Sequence, residues 1–131
     1  AYSVEGFDAA VARAQAYRDA GADMIFPEGL ANADDFAAFA SACPGLLLAN
    51  MTEFGKTPII GLNHFESMGY DIVIFPVSMQ RVAMRAVVHA LASLHQKGDV
   101  SDILDNMQTR AELYELLKYD PSQPWPMPSH E

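Results

Sequence analysis

Three polar clusters stand directly behind oily segments of this chain. Glu28 follows Met24-Ile25-Phe26-Pro27, Asn50-Met51-Thr52-Glu53 follows Leu46-Leu47-Leu48-Ala49, and Ser78 with Arg81 follows Ile72-Val73-Ile74-Phe75-Pro76. A carboxylate, an amide, a hydroxyl and a guanidinium are what a small substrate bearing carboxylates and hydroxyls needs for orientation. Arg81 falls in the first turn of a predicted helix, where free N–H groups and the positive dipole end favour an anion, and a guanidinium there can clamp a carboxylate through two parallel hydrogen bonds. Each residue also has an ordinary alternative. Glu28 could be a solvated loop acid, Asn50 and Thr52 a polar turn, and Arg81 the partner of a surface acid. Met51 would contribute backbone groups, and Glu53 reads as organising its loop with Lys56.

Other chemistry-bearing residues offer less. The single cysteine, Cys43, excludes an intrachain disulfide, fits a reducing compartment such as the cytosol, and has no basic neighbour to activate it. It reads as a buried structural thiol. His64, His89, His95 and His130 lack metal-ligand spacing, and Gly55 with Gly61 forms no phosphate-binding fingerprint. A net charge of -9 without a basic stripe argues against nucleic acid as a partner. No run approaches the ~20 apolar residues that span a bilayer, so no membrane role is expected and a cytoplasmic location is.

The elements that must position these groups alternate regularly. A helix is predicted near 5–20, ended by Gly21, then a strand at 22–27, a helix at 32–42 capped by Asn32 or Asp34, and a strand at 46–50. A short helix near 62–68, a strand at 71–75 and a long helix over 78–97 follow. Thr109 with Glu112 has capping-box spacing for a last helix through Tyr119. Short apolar runs between amphipathic helices predict parallel strands buried on both faces, with their C-terminal loops gathered at one rim. A repeat of about 25 residues suits a (β/α)8 barrel of ~250 residues. The 131 residues supply three of its strands. The fold class is therefore read as α/β, the C-terminal portion of a TIM barrel plus C-terminal helices. Residues 1–119 form that barrel part and 120–131, with four prolines, a tail. A start at Ala1 reads as a processed, truncated or partial chain.

Four ordered strings carry a resemblance over nearly all of residues 1–119: Gly21-Ala22-Asp23-Met24-Ile25-Phe26-Pro27-Glu28, Leu48-Ala49-Asn50-Met51-Thr52-Glu53-Phe54-Gly55, Phe75-Pro76-Val77-Ser78 and Met107-Gln108-Thr109-Arg110-Ala111-Glu112-Leu113-Tyr114. They resemble the isocitrate lyase and phosphoenolpyruvate mutase superfamily, and within it the 2-methylisocitrate lyases. The resemblance implies a Mg2+-dependent carbon–carbon lyase that splits a tricarboxylate, 2-methylisocitrate, into pyruvate and succinate by a retro-aldol-type cleavage. It implies substrate contacts from Glu28, Asn50, Met51, Thr52, Arg81 and Arg110. By residue type alone Arg110 is a surface helix residue; by resemblance it reaches the carboxylates, from a neighbouring subunit if need be. The family's metal-binding aspartates and acid cysteine precede the region seen here, so the chain alone is expected to lack a metal site, to hold no catalytic residue and to be inactive. The apolar face of helix 78–97 (Val82, Met84, Val87, Val88, Leu91, Leu94) is core by pattern. By resemblance it is an interface exchanged between subunits of a dimer or tetramer. Alternatives are oxaloacetate decarboxylation or hydrolysis, phosphonate chemistry, or a non-catalytic piece that only associates.

Overall fold

The computed structural model describes residues 2–124, which divide between Ala83 and Met84 into two compact units. The greater part of the tail, including Trp125 and His130, lies outside the described residues.

In the first unit the helix expected near 5–20 forms over 7–19, and a one-turn helix not expected precedes it. α1 (Tyr2–Glu5) and α2 (Phe7–Asp19) are separated by Gly6 at φ 88°, outside the helical region. Gly21, at φ 101°, terminates α2 as expected and turns the chain into β1 (Met24–Ile25). That strand is shorter than the predicted 22–27, since Pro27 has no N–H to donate to a ladder. α3 (Ala33–Ala42) is capped by Asn32, whose side chain accepts the Asp35 N–H at 3.0 Å. β2 (Leu46–Asn50), α4 (Leu62–Ser67), β3 (Ile72–Ile74) and the start of α5 (Ser78–Lys97) follow in the expected order.

The three strands form one parallel sheet in the order β1-β2-β3. Met24 and Ile25 stand beside Leu46 and Leu47, and Leu48, Ala49 and Asn50 beside Ile72, Val73 and Ile74. Parallel strands separated by helices deliver Glu28, the Asn50–Glu53 segment and Ser78–Arg81 from the same end of the sheet, as the sequence predicts.

One face of that sheet is packed. Leu47, Ala49 and, just beyond the strand, Met51 are buried with Phe36, Phe39, Phe65 and Tyr70, and Val73 joins them. Phe36, Phe65 and Tyr70 meet edge-to-face at centroid separations of 5.1, 5.5 and 5.4 Å, the favourable aromatic arrangement. The buried Tyr70 hydroxyl donates to the Phe36 carbonyl at 3.2 Å, and burial pushes this phenol well above its ordinary value. The opposite face is not covered: Phe26, Leu46, Ile72 and Ile74 are exposed. Burial on both faces, expected from the continuous apolar runs, is thus not met among the described residues, because the helices of the first unit pack on one side.

Arg18 pins the starts of β1 and β2, its Nη1 donating to the Asp23 carbonyl at 3.2 Å and its Nη2 to that of Leu46 at 2.7 Å. Gly45, at φ 110°, makes room for it, since a Cβ there would stand 2.7 Å from the Arg18 Cζ.

The second unit contains most of α5, a 3-10 turn (Ser101–Asn106) and α6 (Arg110–Leu117). Asp102 accepts the Ser93 hydroxyl and the Lys97 ammonium, each at 2.6 Å, fastening the turn to the end of α5. These two donors, Lys97 foremost, hold its carboxyl down at about 2. The predicted Thr109–Glu112 capping box is present. Val82, Met84, Val87, Val88, Leu91 and Leu94 of α5 are exposed, so among the described residues that face is not core.

Candidate substrate-binding site

Asn50 ends β2 and Glu28 stands in the turn after β1. The Asn50 Nδ2 donates to the Glu28 Oε2 at 3.2 Å, joining the two strand ends. The Asn50 Oδ1 is buried and has no hydrogen-bond partner among the described residues. A buried carbonyl oxygen without a donor is uncommon, and it marks a place where a ligand hydroxyl or ammonium would be accepted. Met51 and Thr52 line the same cleft of about 170 Å³ with Glu28, Asn50 and Lys56. The loop that closes it is tied back by the Thr57 hydroxyl, which donates to the Leu30 carbonyl at 2.6 Å. A larger hollow of about 400 Å³ runs beside β1 and α2, with Glu28 at one end. Tyr2, Arg13 and Tyr17 line that hollow, whereas the strand-end residues Asn50 and Thr52 line the smaller cleft.

Met51 takes a narrower part than expected. Its N–H donates to the Ile74 carbonyl at 2.8 Å, and its buried sulfur accepts the Ile60 N–H at 3.0 Å. The side chain belongs to the core and the amide to the sheet, so only what remains of its backbone faces the cleft.

Arg81 lies one turn into α5. Its Nη1 donates to the Glu53 Oε2 at 2.7 Å and to the Glu53 carbonyl at 3.1 Å. Ser78 donates its hydroxyl to the other carboxylate oxygen of Glu53. Pairing with an acid, the ordinary alternative for this arginine, is what the structure shows. Glu53 is correspondingly tied to Ser78 and Arg81 and not to Lys56. The Ser78 hydroxyl first, then the Glu53 amide and the Arg81 guanidinium, hold the Glu53 carboxyl below the usual glutamate range. The Arg81 Nε and Nη2 make no hydrogen bond among the described residues, which leaves one edge of the guanidinium open. The Phe54 ring stands 5.6 Å from the Arg81 Cζ.

Arg110 is exposed at the first position of α6 and belongs to the second unit. The first unit therefore brings together Glu28, Asn50, Met51 and Thr52 in one cleft and links Arg81 to the same β2 loop through Glu53. Sequence reasoning placed Ser78 in the third polar cluster but not its bond to Glu53, and it gave Phe54 no role. The signal for Ser78 was its place at the first turn of α5, two residues after Pro76, where a hydroxyl commonly bonds a neighbouring polar group. Cys43 is buried at the end of α3, before β2 begins, as expected of a structural thiol.

Among the described residues no group of three or more His, Cys, Asp or Glu is arranged to hold a metal ion, so these residues do not fit the Mg2+ that the resemblance implies. No helix among them is long and apolar enough to cross a membrane.

Comparison with known proteins agrees with this architecture. The family described as Phosphoenolpyruvate phosphomutase matches residues 2–95. A probable 2-methylisocitrate lyase of Corynebacterium glutamicum is 53% identical over 121 residues, 92% of this chain and 40% of its own. The 2-methylisocitrate lyase of Aeropyrum pernix is 50% identical over 91% of this chain and 39% of its own. The chain thus spans about two fifths of the length of these relatives. Among solved structures, oxaloacetate acetylhydrolase superposes with a TM-score of 0.79 at 31% identity, covering 88% of this chain and 40% of its own. A 2,3-dimethylmalate lyase does so at 0.77 and 34%, with the same coverage.

Proposed function

Because the chain belongs to the phosphoenolpyruvate phosphomutase family, we propose that it is the substrate-binding portion of a carbon–carbon lyase that splits 2-methylisocitrate into pyruvate and succinate. The observation that carries this reading is the Asn50–Glu28 bond at the shared strand end, beside an Asn50 carbonyl oxygen left without a donor. Relatives named 2-methylisocitrate lyase at 41–53% identity support the choice of substrate.

In this reading each group has a separate task. The Asn50 Oδ1 accepts a hydrogen from a substrate hydroxyl, and Thr52 adds a second polar contact. Glu28, oriented by the Asn50 amide, bonds the substrate from the neighbouring strand. The open edge of Arg81 grips a carboxylate through two parallel bonds, with Arg110 a second clamp contributed by the same subunit or another. Residues 1–119 complete a barrel with segments outside this chain, whose uncovered sheet face (Leu46, Ile72, Ile74) becomes the barrel interior. Residues outside this chain supply the Mg2+ ligands and the acid cysteine. The exposed face of α5 packs against another subunit in a homo-oligomer of this cytoplasmic enzyme.

The experiment measures consumption of 2-methylisocitrate, oxaloacetate and 2,3-dimethylmalate, each given with Mg2+ to the natural full-length protein, with pyruvate identified as a product of the first. Turnover of 2-methylisocitrate at the highest kcat/KM of the three is expected. Faster turnover of either alternative would replace the substrate and favour the second reading, which the 31–34% identical structural neighbours suggest.

A further inference from the structure

We propose that Glu53 is a positioning residue whose carboxylate fixes the Arg81 guanidinium so that its Nε–Nη2 edge faces a substrate carboxylate. The inference deepens the proposed function and rests on its reading of Arg81 as an anion clamp.

Both contacts from Arg81 to Glu53 come from one nitrogen, Nη1, which donates to the carboxylate at 2.7 Å and to the backbone carbonyl at 3.1 Å. Two acceptors on one nitrogen fix the rotation of the planar group. They also leave the Nε–Nη2 edge, one of the two sides from which a guanidinium engages a carboxylate bidentately. Glu53 is itself held from the far side, since Ser78 donates to its second oxygen. Carboxylate, serine and arginine thus form a closed link between the β2 loop and the first turn of α5.

The backbone supplies an independent observation. Phe54, next to Glu53, has φ 62°, and Val77, next to Ser78, has φ 56°. A left-handed conformation costs a non-glycine residue on the order of 1 kcal/mol or more, and is unusual for a β-branched one. The two strained residues flank the two ends of the same link. The Phe54 ring stands 5.6 Å from the Arg81 Cζ but is itself exposed, so it is the carboxylate and carbonyl of Glu53 that hold the arginine. Such supporting groups keep a binding side chain in one geometry and reduce the ordering that a ligand would otherwise impose.

The test uses succinate as a carboxylate probe, with its Kd measured by calorimetry on the natural full-length protein, so that turnover is not required. Glu53→Ala is expected to raise the Kd about tenfold, the scale of losing an orienting partner. In an Arg81→Ala background the same change is expected to raise it less than twofold, because the residue that Glu53 orients is gone. Glu53→Gln, which keeps an oxygen to accept from Arg81, should stay within about threefold of the unchanged protein. In kinetics the loss should appear mainly in KM. An equal factor in both backgrounds, or no effect in either, would overturn the positioning role. So would an unmutated protein that does not bind succinate. Failure to turn over 2-methylisocitrate, with the succinate coupling intact, would remove the proposed substrate and leave the positioning role standing.

Discussion

Replacing Asn50 by aspartate should harm the site more than removing its side chain, although aspartate is nearly the same shape. The Asn50 Nδ2 donates to the Glu28 Oε2 at 3.2 Å. Asn50→Ala deletes one hydrogen bond to a charged acceptor, worth about 1.5–3 kcal/mol where it is fully felt, and also the Oδ1 offered to a substrate hydroxyl, worth about 1 kcal/mol. If that bond orients Glu28 for substrate, kcat/KM should fall about 10- to 100-fold. Asn50→Asp removes the same donor and places a second negative charge about 3.2 Å from the first. Two such charges repel by about 1 kcal/mol in bulk water and about 5 kcal/mol at an effective dielectric of ~20. The lower figure is offset by the oxygen acceptor that aspartate keeps, so it is the higher figure, together with the repulsion of an anionic substrate by the added charge, that sets Asn50→Asp below Asn50→Ala. Glu28 is exposed and free to swing aside, so neither change should cost more than about 1 kcal/mol of stability. The assay is steady-state pyruvate release by the full-length protein with both variants, beside their thermal melts. Asn50→Asp equal to or better than Asn50→Ala, at unchanged stability, would refute the role given to the Asn50–Glu28 pair.

Other perturbations probe the scaffold. Gly45→Ala sets a Cβ 2.7 Å from the Arg18 Cζ at a backbone φ of 110°, and should cost about 1–3 kcal/mol. Adding Arg18→Ala to it should cost less than the sum of the two single changes, and strict additivity in denaturant titrations would argue against the clash. Phe65→Ala empties the centre of the three-ring cluster and should cost about 3–5 kcal/mol, read as a lowered denaturation midpoint; a loss under 1 kcal/mol would contradict the packing. Asp102 should titrate at about 2 by NMR, against an ordinary 3.8. Because its folded value is depressed, its contribution to stability is present above about pH 4 and fades as pH falls toward 2. Lys97→Ala should move its titration back toward 3.8, and an unshifted Asp102 in the unmutated protein would contradict the bond.

The parallel order and the shared rim were legible because each strand is a short apolar run bounded by a glycine-terminated helix and a polar loop, and the periodicity changes at each boundary. Asn32 and the Thr109–Glu112 box were legible because capping chemistry is local. What stayed hidden depends on contacts between distant segments. Nothing local tells Glu53 to prefer Ser78 and Arg81, 25 and 28 residues away, over Lys56 three residues on. The one-turn α1 before Gly6 was hidden because four residues are too few to show a helical period. The uncovered faces of the sheet and of α5 were hidden for another reason: an apolar run reports that a surface must be buried, and not which chain buries it. Met51 shows the same limit, since its place in the cleft was legible while its commitment to the core, through Ile60 and Ile74, was not.

The central claim, that the strand ends of this chain form the rim that receives an anionic substrate, is tested most directly by crystallography of the full-length protein soaked with succinate. The account predicts electron density with one carboxylate bridged by the Arg81 Nε and Nη2 at about 2.7–2.9 Å and the ligand within reach of Asn50 and Glu28. Succinate bound at the opposite end of the sheet, beside Arg18 and Gly45, would contradict it.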